Sequence, residues 1–307
     1  MANAFDWQIG VVCHNERARI AGCLESISAG IGSRKTMVNV IVNGSTDASD
    51  DVALRAAGKF AMPIRIFKIA YGDKSNAINC LIYDADVCVD ADLYFFIDGY
   101  VRIHPGALAA MERSLAQNPA SAAATGIATT GRTEPRSHRA TLERGGGTLH
   151  GQLFALRRNF IERMVNRGFR LPIGLYRGDG LLGSMAAHDL DCLGQPWSNQ
   201  RVLCVAEALF EIAPLSPLRL RDLRRHLRRK IRQMRGKLEN AAIKQVIYQS
   251  GYSGLPAFAD DLIGQFLAAN PVPTVPWPDR PFMHQALRQH RSAKQPVADQ
   301  LKPVRIA

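Results

Sequence analysis

The chain has no apolar run of the roughly 18 residues that a membrane-spanning helix needs. It also has no Gly-x-y period, no internal repeat and no extended low-complexity tract. A helical integral membrane protein and a collagen-like rod are therefore excluded. The N-terminus, Met-Ala-Asn-Ala-Phe-Asp, lacks the charged and apolar regions of a secretory signal. Six cysteines, at 13, 23, 80, 88, 192 and 204, are scattered without a Cys-x-x-Cys pair or a metal-finger spacing. Reduced thiols and a cytoplasmic location are expected, because disulfide frameworks usually belong to much shorter secreted chains.

What is present is ordinary for a folded protein: 307 residues, 47% hydrophobic and 21% charged. That is enough for one large domain or two smaller ones. The net charge of +12 is unevenly placed. Residues 219–237 hold ten Arg or Lys and one acid, Asp222; residues 280–307 hold six and one acid, Asp299. The rest of the chain is nearly neutral, so the basic character belongs to the C-terminal third.

Short apolar runs alternate with helical patterns over the first hundred residues. Strands are expected at Trp7–Cys13, Met37–Val42, Ile64–Ile69 and Leu93–Ile97. Helices are expected around Ile20–Ile27, Asp47–Phe60 and Lys74–Ala85. Continuous apolar runs suit buried parallel strands, and the strand–helix alternation suits crossover connections. Beyond Pro105 the pattern predicts a helix to Gln117, then loops or short strands from Thr125 to Gly147, a strand at Gln152–Arg158 and a helix at Phe160–Arg167. From Leu220 apolar residues recur at steps of three and four through 241, marking one face of a basic helix. The domain reading is a body over residues 1–215, a basic amphipathic helical extension over 216–270, and a Pro-rich, basic, mobile tail over 271–307.

An open α/β sheet binds ligands outside the carboxyl ends of its strands. The polar residues there are His14-Asn15-Glu16, Asn43-Gly44-Ser45-Thr46-Asp47, Gly72-Asp73-Lys74-Ser75-Asn76-Ala77-Ile78-Asn79, and Asp98-Gly99-Tyr100. Four such segments in this order resemble the donor-binding half of family-2 glycosyltransferases. The resemblance implies a GT-A type fold: a single α/β domain with a mostly parallel central sheet flanked by helices, here followed by the basic helical extension. It implies a nucleotide sugar, uridine-diphosphate-linked, as donor, with His14, Asn15, Glu16, Asn43, Gly44, Lys74, Asn79, Asp98 and Tyr100 around it. Asn43 would meet the base, and Lys74 the ribose or diphosphate.

The family's acidic motif often gives two carboxylates to a divalent ion, Mn or Mg, since a hard cation wants oxygen ligands. Here Tyr100 stands where the second acid would be, so Asp98 is the one candidate metal ligand of that motif. The pairs Asp84/Asp86 and Asp90/Asp92 have the spacing but precede the apolar strand, and read as loop acids. His150 and His188 are candidate ligands or, equally in kind, structural histidines.

The run Leu171–Leu182 resembles the family's acceptor segment, in which Gly178 replaces the first acid and Asp179 keeps the second. A carboxylate within reach of the attacking hydroxyl is what transfer needs, which makes Asp179 the candidate base. The reading is an inverting transfer to a hydroxyl of a glycan or glycolipid, in cell-surface polysaccharide or lipid-linked glycan synthesis. The alternative is a non-catalytic sugar-nucleotide-binding or scaffold protein. Arg224, Arg225, Arg228 and Arg229 on the basic helix suit an anionic membrane surface on the inner face, or the acceptor. Packing of the same helix on the body is the competing reading. Nucleic acid is disfavoured, because no aromatic platform interleaves with the arginines.

Overall fold

The computed structural model describes residues 4–131, 134–213 and 220–307, with side chains given from 227 onward in the last segment. The first part of the chain runs β1 (Phe5–Cys13), α1 (Ile20–Gly30), β2 (Thr36–Asn43), α2 (Ser49–Ala57), β3 (Ile64–Ile69), α3 (Lys74–Tyr83) and β4 (Ala91–Asp98). Next come β5 (Val101–Ile103), α4 (Ala107–Gln117), β6 (Ala123–Ala128), α5 (Glu134–Glu143), β7 (Leu153–Arg157) and α6 (Arg158–Asn166). Then follow α7 (Gly178–Ala187), β8 (Val202–Ile212), α8 (Leu220–Ser250), α9 (Ala259–Ala269), α10 (Arg280–Ser292), α11 (Ala298–Leu301) and β9 (Val304–Arg305).

All nine strands form one sheet in the order β5-β8-β6-β7-β4-β1-β2-β3-β9. The pairings make β1, β2, β3, β4, β6 and β8 run the same way, with β5, β7 and β9 opposed. Helices cover both faces, which is why the central strands read as unbroken apolar runs. Trp7, Ile9, Val11 and Phe95 pack with Leu24 of α1, Ala53 of α2 and Met111 of α4. Val12, Ile41, Phe96 and Phe154 pack on the other face with Leu81 of α3, Phe160 of α6, Met185 of α7 and Ile243 of α8. Two polar residues inside these strands are fully paired. Gln8 donates to the Leu81 carbonyl and accepts from Val89, while Asn39 donates to the Val87 carbonyl. Together they pin the turn between α3 and β4, and so the level at which β4 ends.

Register sets the site. Val12 lies opposite Ile41 on one side and Asp98 on the other, and Asn43 lies opposite Ile69. The four parallel strands therefore end at one level, and their polar termini share one mouth.

Three parts differ from the sequence expectations. The stretch Thr125–Gly147 holds a helix, α5, as well as the strand β6. Val202–Ile212 forms β8, an eleven-residue strand for which the sequence reading has no counterpart. Residues 280–307, expected as a mobile tail, instead carry α10, α11 and β9, and β9 pairs antiparallel with β3 through Phe67 and Lys68. The proposed boundary near 215 falls among residues 214–219, outside the described residues. Beyond it, Met234 and Leu238 of α8 build a small core with Ile263 of α9 and Met283 of α10.

Candidate active site

Asp98 ends β4 and is 8% exposed. Its Oδ1 accepts from Lys74 Nζ at 2.5 Å, and its Oδ2 accepts from the Tyr100 hydroxyl at 2.8 Å. Burial and the adjacent Asp98 carboxylate push the Tyr100 phenol well above its ordinary range, so it stays a donor. Lys74 also donates to the Gly151 carbonyl at 2.7 Å. The Gly151 N–H in turn donates to Asp179 Oδ2 at 3.1 Å. One run of hydrogen bonds thus joins Tyr100, Asp98, Lys74, Gly151 and Asp179 across the sheet mouth. An added Cβ at 151 would sit 2.8 Å from Asp179 Oδ2, so a side chain there would push the carboxylate out of place.

Lys74 is aimed by its helix. Asp73, the N-cap of α3, accepts from the Asn76 N–H at 2.7 Å, which satisfies a free helix-end donor. The Asp73 N–H donates to Asn43 Oδ1 at 3.0 Å, tying the start of α3 to the end of β2. Burial raises the Asp73 carboxyl to about 6. Gly44 adopts φ of 58°, and a Cβ there would collide with the Gly72 backbone, so two turns can touch only through glycine.

The β1 terminus forms a second cluster. His14 Nδ1 lies 2.7 Å from the Asn43 carbonyl and its Nε2 lies 3.2 Å from Asn15 Nδ2. Asn15, at φ of 55°, uses Oδ1 to accept from the Thr46 and Asp47 N–H groups. It therefore shapes the Gly44–Asp47 turn. Glu16 pairs with Arg19 at 2.8 Å, and its N–H donates to the Ser49 hydroxyl.

Of the residues singled out in the sequence, the fold joins Asp98, Tyr100, Lys74 and Asp179 directly, and brings His14, Asn15, Asn43 and Gly44 beside them through Asp73. Asn79 is elsewhere. Its amide donates to the Leu171 carbonyl and accepts from the Leu171 N–H, so it fastens α3 to the acceptor segment. A cavity of about 540 Å³ behind α3, beside Tyr83, Arg170 and Tyr252, includes Asn79 but none of the joined residues. Of the acids expected in loops, Asp86 and Asp90 are exposed before β4, Asp84 is half-buried at the end of α3, and Asp92 is exposed but lies within β4 itself.

Sequence reasoning missed two parts. One is Gly151. The other is Glu239 of α8, fully buried, whose carboxylate accepts from the N–H groups of Tyr176 and Arg177 at the start of α7. Arg235 pairs with Glu239 at 2.9 Å and donates to the Gly174 carbonyl. Burial raises the Glu239 carboxyl against the pull of Arg235. A signal existed: Glu239 is the single acid between Asp222 and Asp260 and adjoins the apolar stripe at Leu238. From Met234 onward α8 thus packs on the body. Nearer its start, Leu227 and Arg228 are exposed, and Arg229 pairs with Glu134 at 3.0 Å. The side chains of Arg224 and Arg225 lie outside the described residues.

The histidines are structural. His150 stacks on His138 with ring centroids 3.8 Å apart, and its Nε2 meets the Thr141 hydroxyl. Burial lowers His138 to about 3 and His150 to about 4, so both are neutral near pH 7. His188 bonds the Gln195 carbonyl through Nδ1 at 2.7 Å and packs edge-on against Trp197. Among the described residues no group of three His, Cys, Asp or Glu could hold a metal ion. Asp98 has both carboxylate oxygens engaged, one of them by a cation. The residues present therefore do not fit the divalent ion that the resemblance implied.

A single α/β domain with a mostly parallel sheet flanked by helices is the architecture of GT-A type glycosyltransferases. The chain belongs to glycosyl transferase family 2, whose model matches residues 8–175, more than half its length. It is a glycosyltransferase. A mannosyltransferase from Pyrobaculum calidifontis in complex with GDP-Man and Mn2+ superposes with a TM-score of 0.60 at 16% identity, covering 95% of this chain and 88% of that one. TarS residues 1–349 from S. aureus, in complex with UDP-GlcNAc, superposes with a TM-score of 0.56 at 14% identity, covering 93% of this chain and 80% of that one. At these identities the likeness is one of fold. No curated protein matches the chain. Among the described residues no helix is long and apolar enough to cross a membrane.

Proposed function

We propose that this chain transfers a sugar from a uridine-diphosphate sugar to a hydroxyl of a glycan or glycolipid, in one inverting displacement. The acceptor oxygen attacks the anomeric carbon as the bond from that carbon to the diphosphate oxygen breaks. The hydroxyl proton passes to the Asp179 carboxylate, and the bonding electrons leave with the diphosphate. Asn43 and His14 border the nucleotide side, and Lys74 faces the leaving group, where charge builds up and electrostatic stabilisation counts most.

The observation that supports this reading is the unbroken run of hydrogen bonds from Asp98 through Lys74 and Gly151 to Asp179 at the sheet mouth. The two structural neighbours bind a GDP-linked and a UDP-linked sugar, which supports a nucleotide-sugar donor in general. Replacing Asp179 with Asn is expected to lower transfer by about 10²–10⁴-fold, the usual reach of a general base. Binding of UDP should change less than about twofold in the same variant. Retained turnover removes Asp179 from the base role.

Gly178 in place of the first acid favours one second reading, a sugar-nucleotide-binding protein without turnover. Assays of donor hydrolysis and transfer separate the two. On the acceptor side, the exposed Leu227 and Arg228 support an anionic membrane surface as the place of work, with a lipid-linked acceptor. Flotation with phosphatidylserine vesicles checks that reading.

A further inference from the structure

We propose that the Lys74 ammonium takes the place of the divalent cation in this active site, so that donor binding and transfer are independent of metal. The proposal rests on the nucleotide-sugar reading and goes beyond it by naming what neutralises the diphosphate.

Three features of the site lead there. First, the acidic motif is reduced to one carboxylate, and the residue two positions on, Tyr100, donates its hydroxyl to that carboxylate instead of adding a second charge. Second, the remaining oxygen of Asp98 lies 2.5 Å from Lys74 Nζ. A divalent ion bound there would have to displace an ammonium or lie against it, and among the described residues no group of three His, Cys, Asp or Glu could complete its shell. Third, Lys74 has capacity left. An ammonium carries three N–H donors. Asp98 and Gly151 use two, and the side chain is 38% exposed at the cleft. Asp98 and the Gly151 carbonyl therefore act as a cradle that fixes a cation with one donor still free.

The chemistry balances without a metal. As the anomeric bond to the diphosphate oxygen breaks, that oxygen gains the electron pair, and the fixed ammonium meets the growing charge by a charge-assisted hydrogen bond. Lys74 keeps its proton throughout, and the acceptor proton still goes to Asp179. Because the cation is held before the donor arrives, no reorganisation is needed as the charge develops. Tyr100 has a defined part: it satisfies Asp98 Oδ2 while adding no charge that would call for a second cation.

The experiment uses the full chain, with UDP and GDP as probes, titrated calorimetrically in EDTA and again in MnCl2. The affinity for the preferred diphosphate is expected to agree within about twofold between the two buffers. Lys74→Gln keeps donors for Asp98 and Gly151 but removes the charge, and should weaken binding about tenfold or more in both buffers. If that variant does not fold, the comparison of buffers on the unaltered chain still decides. A tenfold or larger loss of affinity in EDTA, restored by Mn²⁺, overturns the proposal. Tyr100→Asp recreates a two-carboxylate motif and should make binding respond to Mn²⁺; indifference in that variant overturns the part given to Tyr100. Failure of both diphosphates to bind in either buffer is a separate result, and sinks the nucleotide-sugar reading along with this one.

Discussion

On the side proposed for the donor, His14, Asn43 and Asp98 sit at neighbouring ends of parallel strands, and each is within a few residues of an apolar run that fixes its level. On the side proposed for the acceptor, Asp179 is held by Gly151, 28 positions away, and the start of its helix by Glu239, more than sixty positions from Tyr176. Donor-side geometry follows from strand register, which a one-residue slip would destroy along with the core. Acceptor-side geometry follows from a few long-range polar bonds at the start of α7, a helix whose Leu181, Leu182 and Met185 are otherwise buried in the core. The placement of Asp179 should therefore be more sensitive to the loss of one polar partner than the strand ends are.

The largest test of that contrast removes Glu239. Glu239→Ala leaves the Tyr176 and Arg177 N–H groups without their acceptor and Arg235 without its i,i+4 partner. Stability should fall by about 3–5 kcal/mol, as when one member of a buried ion pair is deleted. Hydrogen exchange should then lose protection first over 171–187 and leave β1–β4 protected. Equal loss over both regions would show that the two sides are one cooperative unit.

A medium-sized test uses pH, because the stacked pair His138 and His150 titrates with the opposite sign to Asp73. His138 and His150 have folded pKa values of about 3 and about 4, below their ordinary value. As pH falls below about 6.5 the unfolded chain takes up protons that the fold refuses, so stability drops by up to about 1.4 kcal/mol per pH unit per histidine. Asp73 has a folded pKa of about 6, above its ordinary value. Its folded form binds the proton more tightly, so lowering the pH from 6 towards 4 returns stability. Glu239, whose carboxyl burial also raises, acts in the same sense as Asp73, so the contributions are separated by variants. Relative to the unaltered chain, His138→Asn should make the melting temperature fall less from pH 6 to 4, and Asp73→Asn should make it fall more. A slope unchanged in both variants would refute these assignments.

The smallest effect belongs to the exposed start of α8. Arg228→Gln should shift stability by less than about 0.5 kcal/mol, as surface substitutions usually do. It should reduce flotation with phosphatidylserine vesicles by about 1 kcal/mol of binding, or roughly fivefold. Unchanged flotation would leave the packing of α8 on the body as its whole role.

How much of this was legible in the sequence follows the same division. The strands β1 to β4 and the helices between them emerge from composition, because buried parallel strands are apolar throughout. Asp98, Lys74, Asn43 and His14 then follow from their places after those runs. Helix α5 was hidden between Gly/Thr-rich flanks, although Glu134-Pro135 is a fair helix start. Strand β8 was hidden because exposed Glu207 and Glu211 interrupt its apolar residues. Gly151 carries no signal of its role, since a backbone amide and carbonyl leave no mark in a sequence. Asn79 was placed with the donor because it follows Lys74 in one motif. One further turn along α3, its side chain had already turned to Leu171. The basic helix divided between its two readings: the half from Met234 packs, while Arg228 faces solvent.

The sheet also carries a safeguard in its outline. A nine-stranded sheet would present two long rows of unpaired backbone groups if its outermost members were as long as β1. Here the rims are β5, three residues, and β9, two residues. Each rim strand thus offers a neighbouring molecule a ladder of only two or three residues on which to add a strand.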